Sequence, residues 1–583
     1  MLQWRFPGRT DFALAAILGL AATVRYWGLG FGLPDIDARP DETTVMNVAM
    51  AFFTGDPNPH FFNYPTLYMY CLFGVYLCCY AWALAGGELA SVPAFLSRYA
   101  ADPGGFVLAD RAISALAGTA TVYVVYRVAS KLADRRTALV ASLFLALAHL
   151  AVRDSHFGVA DTAATLLVMC SVLLILESLD DASSKKHILA GAFSGLAAAA
   201  KYAGVLLVLP MAIAHVFRSL DGRRAGIVSP RRLCLLLFSG ALLFAFLAGC
   251  PFALLDFHRF AADLAAEAHH LRLGHRIDLG PGWPYHLQFT LPIGLGRTLF
   301  LAGVAGIPVL IRRAPRKAIV LLSFPLAYYG LAGSGHTVFL RYMLPVVPFL
   351  CVTGAVCTTA AADLLSRRLP LPSALAVALV AALVILPSAR KVLLTDRLLA
   401  TKDSRLLATE WARREIPPGS SVFLAGPIWR DQRADPALGR LRAAYGISDS
   451  VSSPVSPGMT SVSDPVLTYD LWTYNQASRR FEAAGRVQRG IPDYIFLRES
   501  PLLAIGGTPA ALTEIVATSY RLRASFHAID MGRDQHWFDM QDGFFVPFAG
   551  FAGVERPGPN IYVYQRRRGR PDNRESRSSS SGR

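Results

Sequence analysis

Charge is scarce in this 583-residue sequence. Asp, Glu, Lys and Arg together make up 17% of it, against about 25% in an ordinary soluble domain. With 53% hydrophobic residues and a mean hydropathy of +0.38, that deficit argues against a soluble globule and for a polytopic membrane protein. Acidic residues are scarcer than basic ones, 41 against 57, which leaves a net charge of +16. No basic face interleaved with aromatics accompanies the excess, so no nucleic-acid partner is expected. Basic stretches between apolar runs fit membrane topology instead. Paired CxxC spacing is missing as well. The eight cysteines, at 71, 78, 79, 170, 234, 250, 351 and 357, lie in or beside apolar segments. They read there as small hydrophobes, which supports neither a disulfide framework nor a cysteine metal site. A Gly-x-Ser-x-Gly elbow and an HExxH helix are also absent. So are a P-loop and any internal repeat, and the Gly-rich "GLGFGLP" at 28–34 follows an apolar run, which excludes a dinucleotide loop.

What is present is a series of apolar runs. Crossing a bilayer takes about 20 helical residues. The candidate spans are 11–28, 109–129, 137–152, 157–177, 187–200, 203–217, 233–254, 291–311, 318–333, 342–364 and 371–388. The first has a basic start but no small-residue cleavage site after it, so it reads as a retained span. With about eleven spans, every basic cluster falls on one side: Arg5/Arg9, Arg127/Lys131/Arg135/Arg136, Arg218 to Arg232, Arg312 to Lys317 and Arg367/Arg368. The positive-inside rule makes that side cytoplasmic. The apolar stretch 66–86 then reads as an interfacial or partly inserted helix of the first outer loop, and a twelfth crossing is the alternative. The expected organisation is a multi-span domain over 1–388, an extracytoplasmic α/β domain over 389–565 and a disordered basic tail over 566–583. In the second domain, "DSRLLATEWARREIPPGS" reads as an amphipathic helix ended by Pro-Pro-Gly. "SVFLAG", "PDYIFLRES" and "NIYVYQRRR" read as strands.

Charged groups at membrane depth are functional candidates by default. Asp41 and Glu42, in "RPDETTVMNVAM", face outward just after the first span. Asp41 either caps the helix that follows or serves as a general base for an acceptor hydroxyl. Asp154 and His156 belong to a tight outer turn, where a solvated role is the default. Asp161 lies inside an otherwise apolar span, where it would pair with a cation or bind a metal. Lys201 either snorkels to headgroups or holds a phosphate as a point charge. Arg341, followed by Tyr342, is a second candidate phosphate ligand on the same side. His269, His270, His275 and His286 lack a tight ligand spacing. Together these residues describe one outer-face cleft with both carboxylates and cations.

The order of these motifs resembles that of the GT-C-fold, polyprenyl-phosphate-dependent glycosyltransferases, the superfamily of aminoarabinose transferases and protein O-mannosyltransferases. The resemblance runs through "RPDETTVMNVAM", "FFNYPTLYMY", "RVASKLADRRTALVASLFLAL", "DSHFGVADTAATLL", "GAFSGLAAAAKYAG" and "LRYMLPVVPFL", then through the C-terminal third. It implies a polytopic α-helical membrane protein of GT-C type with a C-terminal extracytoplasmic α/β domain. It implies that Asp41 carries the base with Glu42 beside it, and that Asp161 positions a metal or the acceptor. By the same resemblance, Lys201, Arg341 and Tyr342 hold the donor phosphate, and Tyr64 with Pro65 belongs to a loop helix that closes the cleft. Two positions depart from the family pattern, Thr66 and Ala160, where many members carry proline.

The implied reaction moves a sugar from a polyprenyl-phosphate donor to a hydroxyl on a lipid, glycan or protein, with inversion. It takes place at the outer face of a plasma (inner) membrane. No nucleotide cofactor is required, and a divalent metal ion stays open. A transporter or flippase of an anionic lipid-linked sugar is the rival reading. It would be expected to show repeated halves or broken mid-membrane helices.

Overall fold

A computed structural model of the chain describes residues 12–33, 38–88, 91–181, 183–224, 231–426, 436–445, 469–483, 486–502, 510–533 and 535–567. It resolves into two compact units. The first comprises Met1–Thr401 with Gln432–Ser453 and Gln535–Phe551, the second Lys402–Asp431, Pro454–Asp534 and Ala552–Arg583. The soluble unit therefore begins later than 389, because the helix Ser373–Leu399 runs on past the apolar stretch and stays with the first unit. Two pieces of the C-terminal third also belong to the first unit, which no composition change announces. Of the basic tail, Arg566 closes the last strand, and 568–583 lie outside the described residues.

The first unit is helical because a backbone in lipid must satisfy its own hydrogen bonds. Among the described residues, six stretches are long and apolar enough to cross a membrane: Leu67–Ala85, Gly104–Leu132, Ala160–Asp180, Tyr202–Leu220, Leu340–Arg368 and the helix that starts at Ser373. A seventh arises if Gly282–Leu295 and Arg297–Arg313, bent by 113°, form one span. Gly296 makes that bend with φ of 79°, in the left-handed region that glycine enters without steric penalty.

These lengths do not reach eleven spans. Phe12–Tyr26 and Leu233–Gly249 are apolar but shorter. The run at 137–152 is divided into Arg135–Ala146 and His149–Asp154. Twelve helical residues cover only about 18 Å of a hydrocarbon core about 30 Å thick. Leu67–Ala85, expected at the interface, has the length and apolarity of a crossing helix. The remainder of the first outer loop is also helical, with Pro40–Ala51 and Val92–Ala101.

Small residues let these helices approach closely. A side-chain carbon at Gly191 would run into the carbonyl of Phe238, and one at Gly306 into that of Thr353. This is how helices gain contact where no hydrophobic driving force separates them from lipid. The largest core cluster includes Val125, Phe144, Met169, Leu344 and Val352, and a second one, with Met46, Met69 and Phe95, lies under the helices that follow the first.

The second unit holds a seven-stranded sheet of β1 (Ser421–Leu424), β2 (Asp470–Asn475), β3 (Arg480–Ala483), β4 (Arg486–Val487), β5 (Tyr494–Glu499), β6 (Tyr520–Phe526) and β7 (Asn560–Arg566). The strand order is β4-β3-β2-β1-β5-β7-β6. Strand β1 is parallel to both β2 and β5, and the outer pairs are antiparallel. The expected helix forms over Ser404–Glu415, with the Asp403 carboxylate accepting the Arg405 N–H at 2.8 Å as its cap. The three expected strands are β1, β5 and β7. Strand β5 is buried on both faces, which explains its continuous "YIFL" run.

Phe496 has no exposed surface, at the centre of β5. Phe496→Ala is expected to destabilise this unit by about 3–5 kcal/mol through cavity formation. Thermal unfolding of the full chain, followed by hydrogen exchange on the strands, checks this.

Candidate active site

Four of the charged side chains expected to gather, Asp41, Asp161, Lys201 and Arg341, do so, and each stands at a helix end. Pro40 opens its helix at the first position, where a missing N–H is tolerated. The capping position is taken by extended Arg39, whose side chain caps nothing. Asp41 is therefore not the N-cap. Its carboxylate lies in the first helical turn, where the dipole favours negative charge. Asp161 occupies the same kind of place in Ala160–Asp180. Lys201 ends Ser184–Ala200 in an extended conformation, after which the chain turns into a 3-10 segment. Arg341 sits in a second 3-10 segment, Leu340–Val346, where Pro345 interrupts helical bonding. Helix ends leave backbone polar groups unsatisfied, so this is where an apolar bundle tolerates charge.

Asp41, Asp161, Lys201 and Arg341 line one small cavity, together with Tyr64 and Tyr68. Val45, Pro65, Met69, Val159 and Ala160 supply its apolar wall. Arg341 Nη2 lies 2.8 Å from Asp41 Oδ2, and Lys201 Nζ lies 2.7 Å from Asp161 Oδ1. The ammonium also faces the Tyr342 ring at 5.7 Å. Burial, reinforced by Asp41, holds the Tyr64 phenol above its ordinary pKa, so Tyr64 stays a hydroxyl donor.

A second group of residues was not foreseen. The segment 535–551 brings Asp539 and Asp542 into this unit. Asp542 lies 2.5 Å from Arg341 through one oxygen and 2.5 Å from Arg39 through the other. Burial opposes its ionisation, but the Arg341, Arg39 and Arg153 guanidiniums outweigh that and hold the carboxyl well below its usual range. Arg153 pairs with Asp154 at 3.0 Å and with Asp539 at 3.2 Å. Phe157 lies against both Arg39 and Arg153, at 4.4 and 5.1 Å. The signal in the sequence is "FDMQDGFFVPF", where two carboxylates interrupt an aromatic, apolar stretch.

Other expected residues are placed elsewhere. Glu42 does not line the cavity. It accepts two bonds from Arg111, at 3.0 and 2.8 Å, and one from the Gly158 N–H at 2.8 Å. Both partners are almost fully buried, so Glu42 joins the first outer loop to the bundle. Asp154 and His156 were expected to be solvated and are instead buried. The two His156 ring nitrogens face the Val152 and Trp27 carbonyls at 2.9 and 3.0 Å. Asp154 ends the helix His149–Asp154 against Arg153, and in the turn that follows His156 meets Trp27, just past the first helix, while the Gly158 N–H meets Glu42. Tyr342 is not among the lining residues, and its ring lies 5.7 Å from the Lys201 ammonium. In the later loop, His270 and His275 are 3.0 Å apart, and His286 bonds to Thr290. Among the described residues, no three His, Cys, Asp or Glu converge as a metal ligand set.

The fold is thus that of a polytopic helical membrane protein with a sheet-containing C-terminal unit, and its helical unit holds a cavity lined by two carboxylates and two cations. Residues 106–248 match the family model described as dolichyl-phosphate-mannose-protein mannosyltransferase. Among solved structures, the chain is similar to the apo oligosaccharyltransferase of Archaeoglobus fulgidus at 15% identity and a TM-score of 0.43, over 74% of this chain and 63% of that one. It is similar to AglB of the same organism in complex with an inhibitory peptide and a dolichol-phosphate, at 13% identity and a TM-score of 0.44, over 77% and 61%. A third similar structure is ArnT from Cupriavidus metallidurans bound to undecaprenyl phosphate, at 16% identity and a TM-score of 0.45, over 95% and 98%. The chain thus spans less than two thirds of the length of the first two. No curated protein matches it.

The two neighbouring carboxylates should respond differently to neutralisation. Glu42→Gln breaks a buried pair and is expected to cost about 3–5 kcal/mol, seen as a lowered thermal midpoint in detergent. Asp41→Asn acts at a partly exposed pair and should cost no more than about 1 kcal/mol, a correspondingly smaller shift of that midpoint.

Proposed function

We propose that this protein is a membrane glycosyltransferase that moves a sugar from a polyprenyl-phosphate-linked donor to the hydroxyl of a lipid, glycan or protein acceptor. The observation that carries this reading is the convergence of Asp41, Asp161, Lys201 and Arg341 on one cavity with an apolar wall. The family match over residues 106–248 supports it independently.

In this reading the donor phosphate lies against Arg341 and Lys201, and its prenyl chain follows the apolar wall. The acceptor oxygen attacks the anomeric carbon and forms the new glycosidic bond. The bond between that carbon and the phosphate oxygen breaks, and its electron pair leaves with the phosphate. A phosphodiester bearing one charge becomes a monoester bearing up to two. The two cations stabilise the charge that develops. Asp41 takes the acceptor proton as general base. Asp161 orients Lys201, and Tyr64 donates a hydrogen bond within the cavity. A single displacement inverts the anomeric configuration. The phosphate carries its own activation, so the step needs no nucleotide.

In this reading the cavity faces the outer side of the plasma (inner) membrane, because basic residues gather elsewhere on the bundle, where Lys317 reaches the Lys131 carbonyl and Arg136 pairs with Asp363. The C-terminal unit then stands outside the membrane as well, where acceptor chains are available.

The test is release of sugar from a panel of radiolabelled polyprenyl-phosphate donors, in membranes supplied with lipid, glycan and protein acceptors. One donor is expected to turn over. Asp41→Asn should lower the rate by about 10²–10⁴-fold, and Arg341→Ala or Lys201→Met by about 10²–10³-fold. Unchanged turnover in Asp41→Asn would remove it from the base role. Failure of every donor in the panel would overturn the transferase reading in favour of a lipid-linked sugar transporter.

A further inference from the structure

Arg341 holds two carboxylates that differ in every physical respect. Asp542 is 5% exposed, and its other oxygen is taken by Arg39, itself buried. The backbone N–H of Asp542 donates to Asp539 at 3.3 Å. Neighbouring Gln541 donates to the Ile277 and His336 carbonyls, both at 2.9 Å, and accepts the Val338 N–H at 2.6 Å. Those last two contacts fall just ahead of the 3-10 turn that carries Arg341. Asp542 is thus built into the wall. Asp41, by contrast, is 30% exposed, lines the cavity and has Arg341 as its one ion-pair partner among the described residues.

We infer that Asp542 is the fixed anchor of Arg341 and Asp41 its exchangeable partner, so that an incoming lipid phosphate displaces Asp41 and thereby frees the carboxylate that serves as base. The inference rests on the transferase reading and adds an order of events to it. Before the phosphate arrives, the Asp41 carboxylate is engaged by the Arg341 guanidinium. The exchange replaces one anion on Arg341 by another and leaves Asp41 facing the acceptor. Base activation is then coupled to donor binding, which protects the site from idle chemistry. Asp542 touches neither donor nor acceptor; it is a positioning residue that keeps Arg341 in place while its other partner changes.

The test measures binding of polyprenyl phosphate alone to the full-length protein in detergent micelles. Asp41→Asn removes the competing anion, so it should bind polyprenyl phosphate about fivefold or more tightly than wild type, even though its turnover falls. Unchanged or weaker binding in Asp41→Asn, with wild type binding normally, overturns the exchange. If neither protein binds, the lipid-phosphate reading itself fails and the exchange with it. The anchoring role has its own readout. Adding Asp542→Asn to Asp41→Asn removes another negative charge, so charge alone predicts still tighter binding, whereas loss of the anchor predicts that the gain disappears. A double variant that binds tighter still overturns the anchoring of Arg341. Asp41→Asn alone tests the exchange even if the double variant does not fold.

Discussion

The helical unit depends at its charged end on a chain of alternating charges, Arg39–Asp542–Arg341–Asp41, set in an otherwise apolar bundle. Each buried charge alone would be strongly unfavourable. Each is retained because its neighbour is of opposite sign and within hydrogen-bonding distance. The chain links three stretches far apart in sequence: the start of the first outer-loop helix, the 3-10 turn at 340–346, and the segment 535–551. Removing Asp542 leaves Arg39 buried without its ion-pair partner, the most damaging change such a network can suffer, whereas loss of Asp41 at the partly exposed end still leaves Arg341 paired with Asp542.

A second pair follows the same logic for a structural purpose. Arg111 lies two turns into the helix Gly104–Leu132 and satisfies Glu42 with two bonds, and its remaining group donates to the Leu29 and Phe31 carbonyls at 2.8 Å. The Phe31 ring covers the guanidinium at 3.6 Å. One carboxylate of the Asp-Glu pair thus secures the loop, and the other reaches the cavity. Adjacent positions on a helix point about 100° apart, which is why two neighbouring acids can hold separate roles.

Much of this organisation was legible in the sequence. The low charge content and apolar runs identify a polytopic helical protein. Asp41, Asp161, Lys201 and Arg341 could be picked out because charge within or beside apolar runs is costly and therefore informative. Tyr64 was found only through the resemblance of its motif. Asp542 was missed because it stands in the C-terminal third, which composition presents as a separate soluble domain. Arg39 and Arg153 were missed because a basic residue beside a span ordinarily reads as a topology signal. Asp154 and His156 were expected in solvent because turns usually lie at the surface, and this one meets Trp27 and Glu42 instead.

Composition and local pattern by themselves determined the helical class, the strands β1, β5 and β7, and the identity of the charged residues that meet in the cavity. Local pattern suffices there because hydrophobic periodicity and the cost of charge in lipid act on neighbouring residues. Only the tertiary structure decided that the two acids at 41 and 42 part company, that short apolar runs break where a span was expected, and that a segment some 200 residues downstream completes the surroundings of Arg341. Ion pairs between distant segments leave no periodic trace. They form because folding removes water from both partners at one place, and no local stretch of sequence records where that place will be.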